Sequence, residues 1–177
     1  MSTKTTWALD PAHSEIGFKV KHMMFTNVSG SFQEFNATAE ADDDSFEGAQ
    51  FHFTGKTASV TTGNKDRDTH LQSADFFDAA TYPELTFESA SFQKEGNGEF
   101  KLNGNLTIHG TTKPVALDVE FGGIAKDPWG NTKTGFSITG KINRKDWGLN
   151  WNSALETGGV LVGEEIKLHI ELQFIKQ

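Results

Sequence analysis

The chain of 177 residues contains no cysteine, only four prolines and no long apolar run. Without cysteine, disulfide bonds, thiol catalysis and thiolate metal sites are excluded. No segment approaches the roughly 18 apolar residues that a transmembrane helix needs, so stable membrane insertion is not expected. Scarce proline beside 18 glycines is typical of strands that are joined by tight turns and interrupted by bulges.

Positive charge is also in short supply, since the net charge is −8. Nucleic-acid binding needs a basic face that neutralises phosphates, so this balance disfavours nucleic acid as a partner. It equally disfavours attachment to an anionic membrane. The opening residues MSTKTTWALDPAHSEIGF lack the apolar core and cleavage site of an export signal. They predict a cytoplasmic location, or a periplasmic one if a signal has been removed.

Alternation of apolar and polar side chains predicts eight strands within one domain spanning residues 1–177. The strands fall near residues 14–22, 30–39, 49–60, 85–92, 100–108, 115–121, 136–142 and 166–174. Phe32 and Phe35 lie three positions apart, which requires a bulge or a change of face. Glycines 104, 135 and 140 lie inside predicted strands and favour sharp curvature.

Consecutive strands with few residues between most of them indicate an all-β antiparallel meander. Eight such strands close most naturally into a single up-and-down barrel, because closure removes the exposed edges. An eight-stranded barrel is either filled by side chains or wide enough for one small ligand. A sandwich with a packed interior and no cavity remains the alternative fold.

The segment from Asp66 to Phe87 departs from this β pattern because it concentrates charges and aromatic rings. Its spacing predicts a short helical insert around residues 68–79, which ends well before Pro83. Only two of the 16 basic residues are arginines, Arg67 and Arg144. We expect both to hold loops through carboxylate pairs. The alternative is that one of them contacts the polar head of a ligand.

Motifs for catalysis or metal binding are weak. The six histidines show no metal-ligand spacing. The stretch Gly135–Thr139 departs from the G-x-S-x-G pattern, and no glycine loop for phosphate is present. Acid–base chemistry by His70 with Asp68, Asp75 or Arg67 remains an alternative, because these titratable groups lie beside a predicted pocket.

Several motifs, in order along nearly the whole chain, resemble those of the YceI-like family, the lipocalin-resembling family of polyisoprenoid-binding proteins. They are Trp7-x-x-Asp10-x-x-His13-Ser14, Arg67-Asp68-x-His70-Leu71, Asp75-Phe76-Phe77-Asp78, Tyr82-Pro83-x-Leu85, Leu106-Thr107-Ile108-His109-Gly110 and Asn143-Arg144-x-Asp146-Trp147-Gly148. The resemblance implies an eight-stranded antiparallel barrel with an elongated apolar cavity, an isoprenoid or similar lipid as ligand, and often a homodimer. It implies no catalytic set, and we expect no cofactor and no metal.

The resulting hypothesis is a protein, not an enzyme, that carries or sequesters a long apolar molecule of polyprenyl, quinone or other lipid type. Inward-facing apolar residues of the strands are the candidate lining, and three apolar residues of the insert would close one end. The candidates are Ile16, Phe18, Val20, Phe51, Phe53, Leu71, Phe76, Phe77, Phe87, Leu106, Ile108, Leu117, Val119, Phe136, Ile138, Leu168 and Ile170. The alternatives are an enzyme acting on a lipid-like substrate and a structural or stress-related interaction module with an empty barrel.

Overall fold

The structure is a computed structural model that describes residues 4–153, 155 and 161–177. These residues form eleven strands and one α-helix. The strands are β1 (Thr5–Leu9), β2 (Glu15–His22), β3 (Thr26–Phe32), β4 (Phe35–Ala41), β5 (Gln50–Lys56), β6 (Val60–Thr61), β7 (Glu84–Gly96), β8 (Glu99–Ile108), β9 (Thr111–Lys126), β10 (Thr132–Asn143) and β11 (Val162–Lys176). The helix is α1 (Lys65–Gln72), and short 3-10 helices cover Pro11–His13, Thr57–Ser59 and Arg144–Trp147.

Eight of the strands close into an antiparallel barrel, as the sequence predicts. The ring runs β1, β4, β5, β7, β8, β9, β10 and β11, and β1 then pairs with β11 to close it. Strands β2 and β3 continue the sheet beyond β11 because β1 and β2 both pair with β11, one after the other along its length. The 3-10 helix Pro11–His13 separates these two strands.

The two ends of the barrel are defined by the turns that they carry. The β2–β3 turn, the β8–β9 turn at His109–Gly110 and the 3-10 helix Arg144–Trp147 lie at one end, which we call the mouth. The β7–β8 turn at Asn97–Gly98 and the β9–β10 loop at 127–131 lie at the other end, the base. Long strands such as β11 run the whole distance between the two.

The strand assignments from sequence are refined at the first half of the chain. The face change expected between Phe32 and Phe35 is a break between β3 and β4. Strand β1 lies before the first predicted strand, because Thr5–Leu9 is too short to show a clear alternation. It nevertheless closes the barrel through Trp7, which is paired with Lys176 on one side and Ala39 on the other.

The helix occupies Lys65–Gln72, so the predicted bounds of 68–79 are wrong by about one turn at the start and about two turns at the end. It begins early because the Asn64 side chain caps it by accepting a hydrogen bond from the Arg67 amide at 3.0 Å. It ends early because the Ser73 hydroxyl and amide both donate to the His70 carbonyl. Turns then follow as far as Tyr82.

Two of the strand glycines lie at irregularities in the ladders, as expected for sites of curvature. The β7–β8 register shifts beside Gly104, and the β9–β10 register shifts at Gly135. Gly104 also leaves room for the Phe87 ring, which would overlap any Cβ atom at that position. The absence of a side chain at Gly104 therefore lets a large ring point into the barrel.

Aromatic rings fill the base end of the barrel. Phe46, from the loop between β4 and β5, is 1% exposed and lies 5.2 Å from Trp7 and 5.3 Å from Phe136 between ring centroids. Phe92 and Phe100 stack in parallel at 4.4 Å. These contacts leave the base closed and densely packed, so any open interior volume lies toward the mouth.

The longest helix of the described residues has eight residues. No helix in that part of the chain is long and apolar enough to cross a bilayer.

Candidate functional site: an apolar cavity at the mouth of the barrel

A cavity of about 560 Å³ occupies the mouth half of the barrel. Its walls are inward-facing side chains of the strands, its floor is the packed aromatic base, and its roof is the insert (residues 65–83). Phe51 belongs to both floor and cavity, since it lines the cavity and meets Phe92 at 4.9 Å and Phe136 at 5.4 Å. The barrel is therefore filled at one end and hollow at the other.

Most of the residues predicted from the sequence as lining do face this cavity. They are Ile16, Phe18, Val20, Phe51, Phe53, Leu71, Phe76, Phe77, Phe87, Leu106, Ile108, Leu117, Ile138, Leu168 and Ile170. They come from β2, β5, β7, β8, β9, β10, β11 and the insert, which the closed topology brings around one space. Their alternation along each strand is what directs them to the same side.

Two predicted lining residues, Val119 and Phe136, do not face the cavity. Val119 is 4% exposed and pairs with Phe100 and Ile138 across the sheet, toward the base. Phe136 is buried against Phe46 in the aromatic base. Both point inward, as alternation predicts, but at a depth where rings already fill the barrel. Alternation predicts whether a side chain points into the barrel, but it does not predict how far between the mouth and the base that side chain lies.

The insert covers the cavity with apolar side chains. Phe77 meets Phe32 of β3 edge to face at 5.6 Å, and Phe76 is 7% exposed. The segment after the helix folds back, because the Phe77 amide donates to the Leu71 carbonyl at 3.0 Å. At the far end of the insert, Tyr82 packs on His109 at 4.7 Å. The insert is thus anchored to the barrel on both sides of the opening.

Arg144 is a buried cation in the cavity wall and is 3% exposed. Its guanidinium donates to four backbone carbonyls: those of Leu149 at 2.6 Å, Trp151 at 2.8 Å, Gly163 at 2.8 Å and Val162 at 3.2 Å. Burial lowers the pKa of Arg144, and the charge of Glu164 partly opposes that shift. The guanidinium remains charged, since arginine is not deprotonated in proteins.

The prediction that the two arginines pair with carboxylates is wrong. No ion pair among the described residues includes Arg67 or Arg144. Arg67 donates instead to the side chain and carbonyl of Thr62, at 2.7 and 2.8 Å. Both arginines do hold loops, as expected, but through uncharged oxygen atoms. A guanidinium suits this task because its five donors reach several carbonyls at once.

The titratable cluster of the insert divides into two separate contacts. Asp68 accepts hydrogen bonds from the amide and hydroxyl of Thr62, beside Arg67. His70 instead pairs with Asp75, with 2.8 Å between Nε2 and Oδ2. Among the described residues, no hydroxyl is hydrogen-bonded to the His70 ring, so the arrangement lacks the nucleophile–base contact of covalent catalysis. These groups position the insert.

The cavity has further lining residues that are not among the candidates predicted from the sequence. Leu85, Leu102, Ile142, Ile166 and Leu172 follow the same alternation as the named ones and could have been found by it. Trp147, Leu149 and Trp151 come from the connection after β10, where no periodic pattern exists. Trp147 is buried, with its indole N–H donating to the Leu106 carbonyl at 2.8 Å. Trp151 is half-buried and faces the cavity.

A closed antiparallel barrel with an apolar cavity under a short insert defines a lipocalin-like barrel. More narrowly, the chain belongs to the YceI-like family, since the profile of the YceI-like domain matches residues 7–174. A UPF0312 protein of Staphylococcus aureus is 40% identical over 171 residues, which cover 96% of this chain and 97% of that protein.

Solved structures share the fold. The Campylobacter jejuni YCEI protein is 39% identical, with a TM-score of 0.75 over 96% of both chains. Burkholderia cenocepacia BcnA is 25% identical, with a TM-score of 0.79 over 93% of this chain and 98% of its own. A polyisoprenoid binding domain from Saccharophagus degradans is 14% identical, with a TM-score of 0.65 over 97% and 98% of the two chains. At that identity the last likeness concerns the fold alone.

Proposed function

We propose that this protein binds one long apolar molecule, of isoprenoid or other lipid type, inside the cavity and carries or sequesters it. The observation that carries the proposal is the 560 Å³ of apolar space beneath the insert. This volume lies within the range of about 300–1,000 Å³ typical of small-molecule sites. Transfer of each methylene from water into such a space is favourable by about 0.8 kcal/mol.

The isoprenoid class is the finer part of the proposal. It is supported by the fold shared with the Saccharophagus degradans domain, which is described as polyisoprenoid binding. The hollow half of the barrel fits a flexible chain better than a compact polar molecule, because its walls offer few hydrogen-bonding groups. The polar groups Asn64, Arg67 and His70 line the cavity from the helix α1 and its N-terminal cap, at the mouth.

The test compares two tryptophan substitutions on β10. Ile138→Trp places a large ring in the cavity, whereas Thr139→Trp places the same ring on the outer face one residue away. We expect Ile138→Trp to weaken binding of a fluorescent polyprenyl or fatty-acyl probe at least about tenfold, since the probe would lose the contacts of several methylenes. Thr139→Trp keeps the affinity of the unmodified protein.

Organic extraction of the purified protein, followed by mass spectrometry, identifies the molecule that it retains. An unmodified protein that binds no apolar probe and yields no lipid would contradict the proposal. Equal affinities of the folded Ile138→Trp and unmodified proteins would place any binding outside the cavity.

A further inference from the structure

The turn between β2 and β3 exposes three consecutive large apolar side chains. Met23, Met24 and Phe25, which we call the tip, are 40%, 62% and 80% exposed. Single exposed apolar residues are common on protein surfaces, but a contiguous group at the end of a hairpin marks a contact surface.

The backbone of the tip is poorly suited to the residues that it carries. The Phe25 amide donates to the His22 carbonyl at 3.2 Å across the turn, and φ is 51° at Met23 and 63° at Met24. Hairpin turns with positive φ at both central residues favour glycine, asparagine and aspartate. Methionine at both of these positions lowers the local stability of the turn and exposes apolar side chains to solvent. The tip is therefore suited to contact with a partner outside the chain.

A row of lysines lies on the outer face of the barrel beside the tip. Lys19 of β2 is directly opposite Lys167 of β11, which in turn is directly opposite Lys141 of β10. All three, which we call the lysine row, are exposed, and none takes part in an ion pair within the described residues. Like charges placed directly opposite each other destabilise a sheet. Their juxtaposition in a chain of net charge −8 creates a local basic surface.

The local charge continues into the hairpin that carries the tip. Between residues 16 and 33 the only charged side chains are Lys19 and Lys21, if His22 is neutral. At the mouth end of β11, Glu164 is held by Lys145 at 2.8 Å and Glu165 follows it. Screening at physiological salt limits exposed charges to a range of about 8 Å, so the lysine row acts locally. Exposed Asp66, Asp75 and Asp146 at the mouth, and Glu165 two residues from Lys167, confine this basic surface to the outer face of β2, β11 and β10.

The tip lies at the opening of the cavity. Lys21 and His22 line the cavity immediately before it, and the Met23 amide donates to the carbonyl of the lining residue Leu161 at 2.7 Å. An apolar tip beside unpaired cations complements an anionic lipid surface, where apolar side chains enter the headgroup region and lysines meet phosphates.

We propose that the tip and the lysine row dock the mouth of the barrel reversibly on an anionic bilayer. The docking itself does not depend on the proposed function. The role of docking in loading a ligand into the cavity and releasing it does rest on the proposed function. Docking places the opening against lipid, so an apolar ligand passes between membrane and cavity without crossing water. The net charge alone predicts that anionic membranes are disfavoured, whereas docking through the tip and the lysine row would favour them at this one surface.

The experiment measures cosedimentation with vesicles of phosphatidylcholine, with and without phosphatidylglycerol. We expect binding to the anionic vesicles that weakens at high salt. The double variant Met24→Ser/Phe25→Ser should lose at least about tenfold in affinity, since each apolar side chain leaves the lipid. Lys141→Gln/Lys167→Gln should lose about fivefold for each lysine removed.

The base end of the barrel provides matched controls. Trp129 is 83% exposed in the β9–β10 loop, so Trp129→Ser removes an equally exposed apolar side chain far from the mouth. Lys94→Gln/Lys126→Gln removes two exposed lysines near that same end. Both controls should bind anionic vesicles as the unmodified protein does.

Three outcomes would overturn the docking proposal: no binding to anionic vesicles, equal losses in mouth and base variants, or a tip that acts only in self-association. The last would appear as a change of sedimentation coefficient in Met24→Ser/Phe25→Ser without vesicles, with no vesicle binding by the unmodified protein. Probe binding is measured in the same variants. A mouth variant that no longer binds vesicles but still binds the probe is the result expected from both proposals. If the unmodified protein binds vesicles but not the probe, the proposed function is refuted and the docking proposal is not.

Discussion

At the scale of single residues, Arg144 has the most demanding environment in the described structure. A buried cation is costly unless its hydrogen bonds are satisfied, and here four backbone carbonyls supply them. Two of these carbonyls, those of Leu149 and Trp151, follow the 3-10 helix that contains Arg144, and the other two, those of Val162 and Gly163, lie at the start of β11. Arg144 therefore fixes part of the cavity wall, and its planar fork does so better than a lysine could.

Replacing Arg144 by lysine should destabilise the protein by at least about 2 kcal/mol, because hydrogen bonds to charged groups contribute about 1.5–3 kcal/mol each and a lysine reaches fewer of these carbonyls. Urea unfolding measures the difference. Arg67→Lys is the matched control, since Arg67 is half-buried and bonds only to Thr62 among the described residues. A smaller loss is expected there, and equal losses for the two variants would contradict the role given to Arg144.

At the scale of elements, the sequence predicts best where one face is buried over many residues. β8 and β11 alternate without interruption, so their faces were predicted correctly. The bounds of α1 differ from those that its spacing predicts, because they depend on a cap at Asn64 and a hydroxyl bond at Ser73, which are local contacts without periodicity. Alternation does not predict β1, because five residues give too few alternations, although the pairing of β1 with β11 closes the barrel.

Gly104 in β8 gives an element-scale prediction. A Cβ atom there would overlap the Phe87 ring and lie 2.5 Å from the Glu88 carbonyl oxygen. Backbone cannot move aside cheaply, so Gly104→Ala should destabilise the protein by about 1–3 kcal/mol, as overpacking usually does. Gly135→Ala is the control, because the nearest atom to its Cβ would be 3.6 Å away. A neutral Gly104→Ala in thermal unfolding would show that the β7–β8 bulge is freely adjustable.

At the scale of the whole molecule, the division into a filled base and a hollow mouth could not be predicted from alternation. The base is filled by rings that come from different parts of the chain, including Phe46 from a loop with no strand pattern. The mouth is hollow because its roof, the insert, spans the opening without filling it. Whether each end of the barrel is filled or hollow depends on the summed volumes of side chains that are distant in sequence. A period-2 pattern carries no information about those volumes. Alternation therefore predicts Val119 and Phe136 as cavity lining, whereas both lie beneath the cavity.

The apolar cavity also predicts how the whole barrel responds to a bound ligand. A ligand that binds inside the cavity contacts the folded state and not the unfolded chain, so it stabilises the folded state. At a ligand concentration of 100 Kd the gain is about 2.7 kcal/mol. For a chain of this size that corresponds to a rise in Tm of about 5–10 °C. Calorimetry of protein stripped by organic extraction and of protein reloaded with a polyprenyl or fatty-acyl probe measures the shift. Ile138→Trp should show a smaller rise in Tm, because its added ring occupies part of the space that the probe needs. Identical Tm values for stripped and reloaded unmodified protein would mean that the cavity does not take up the probe.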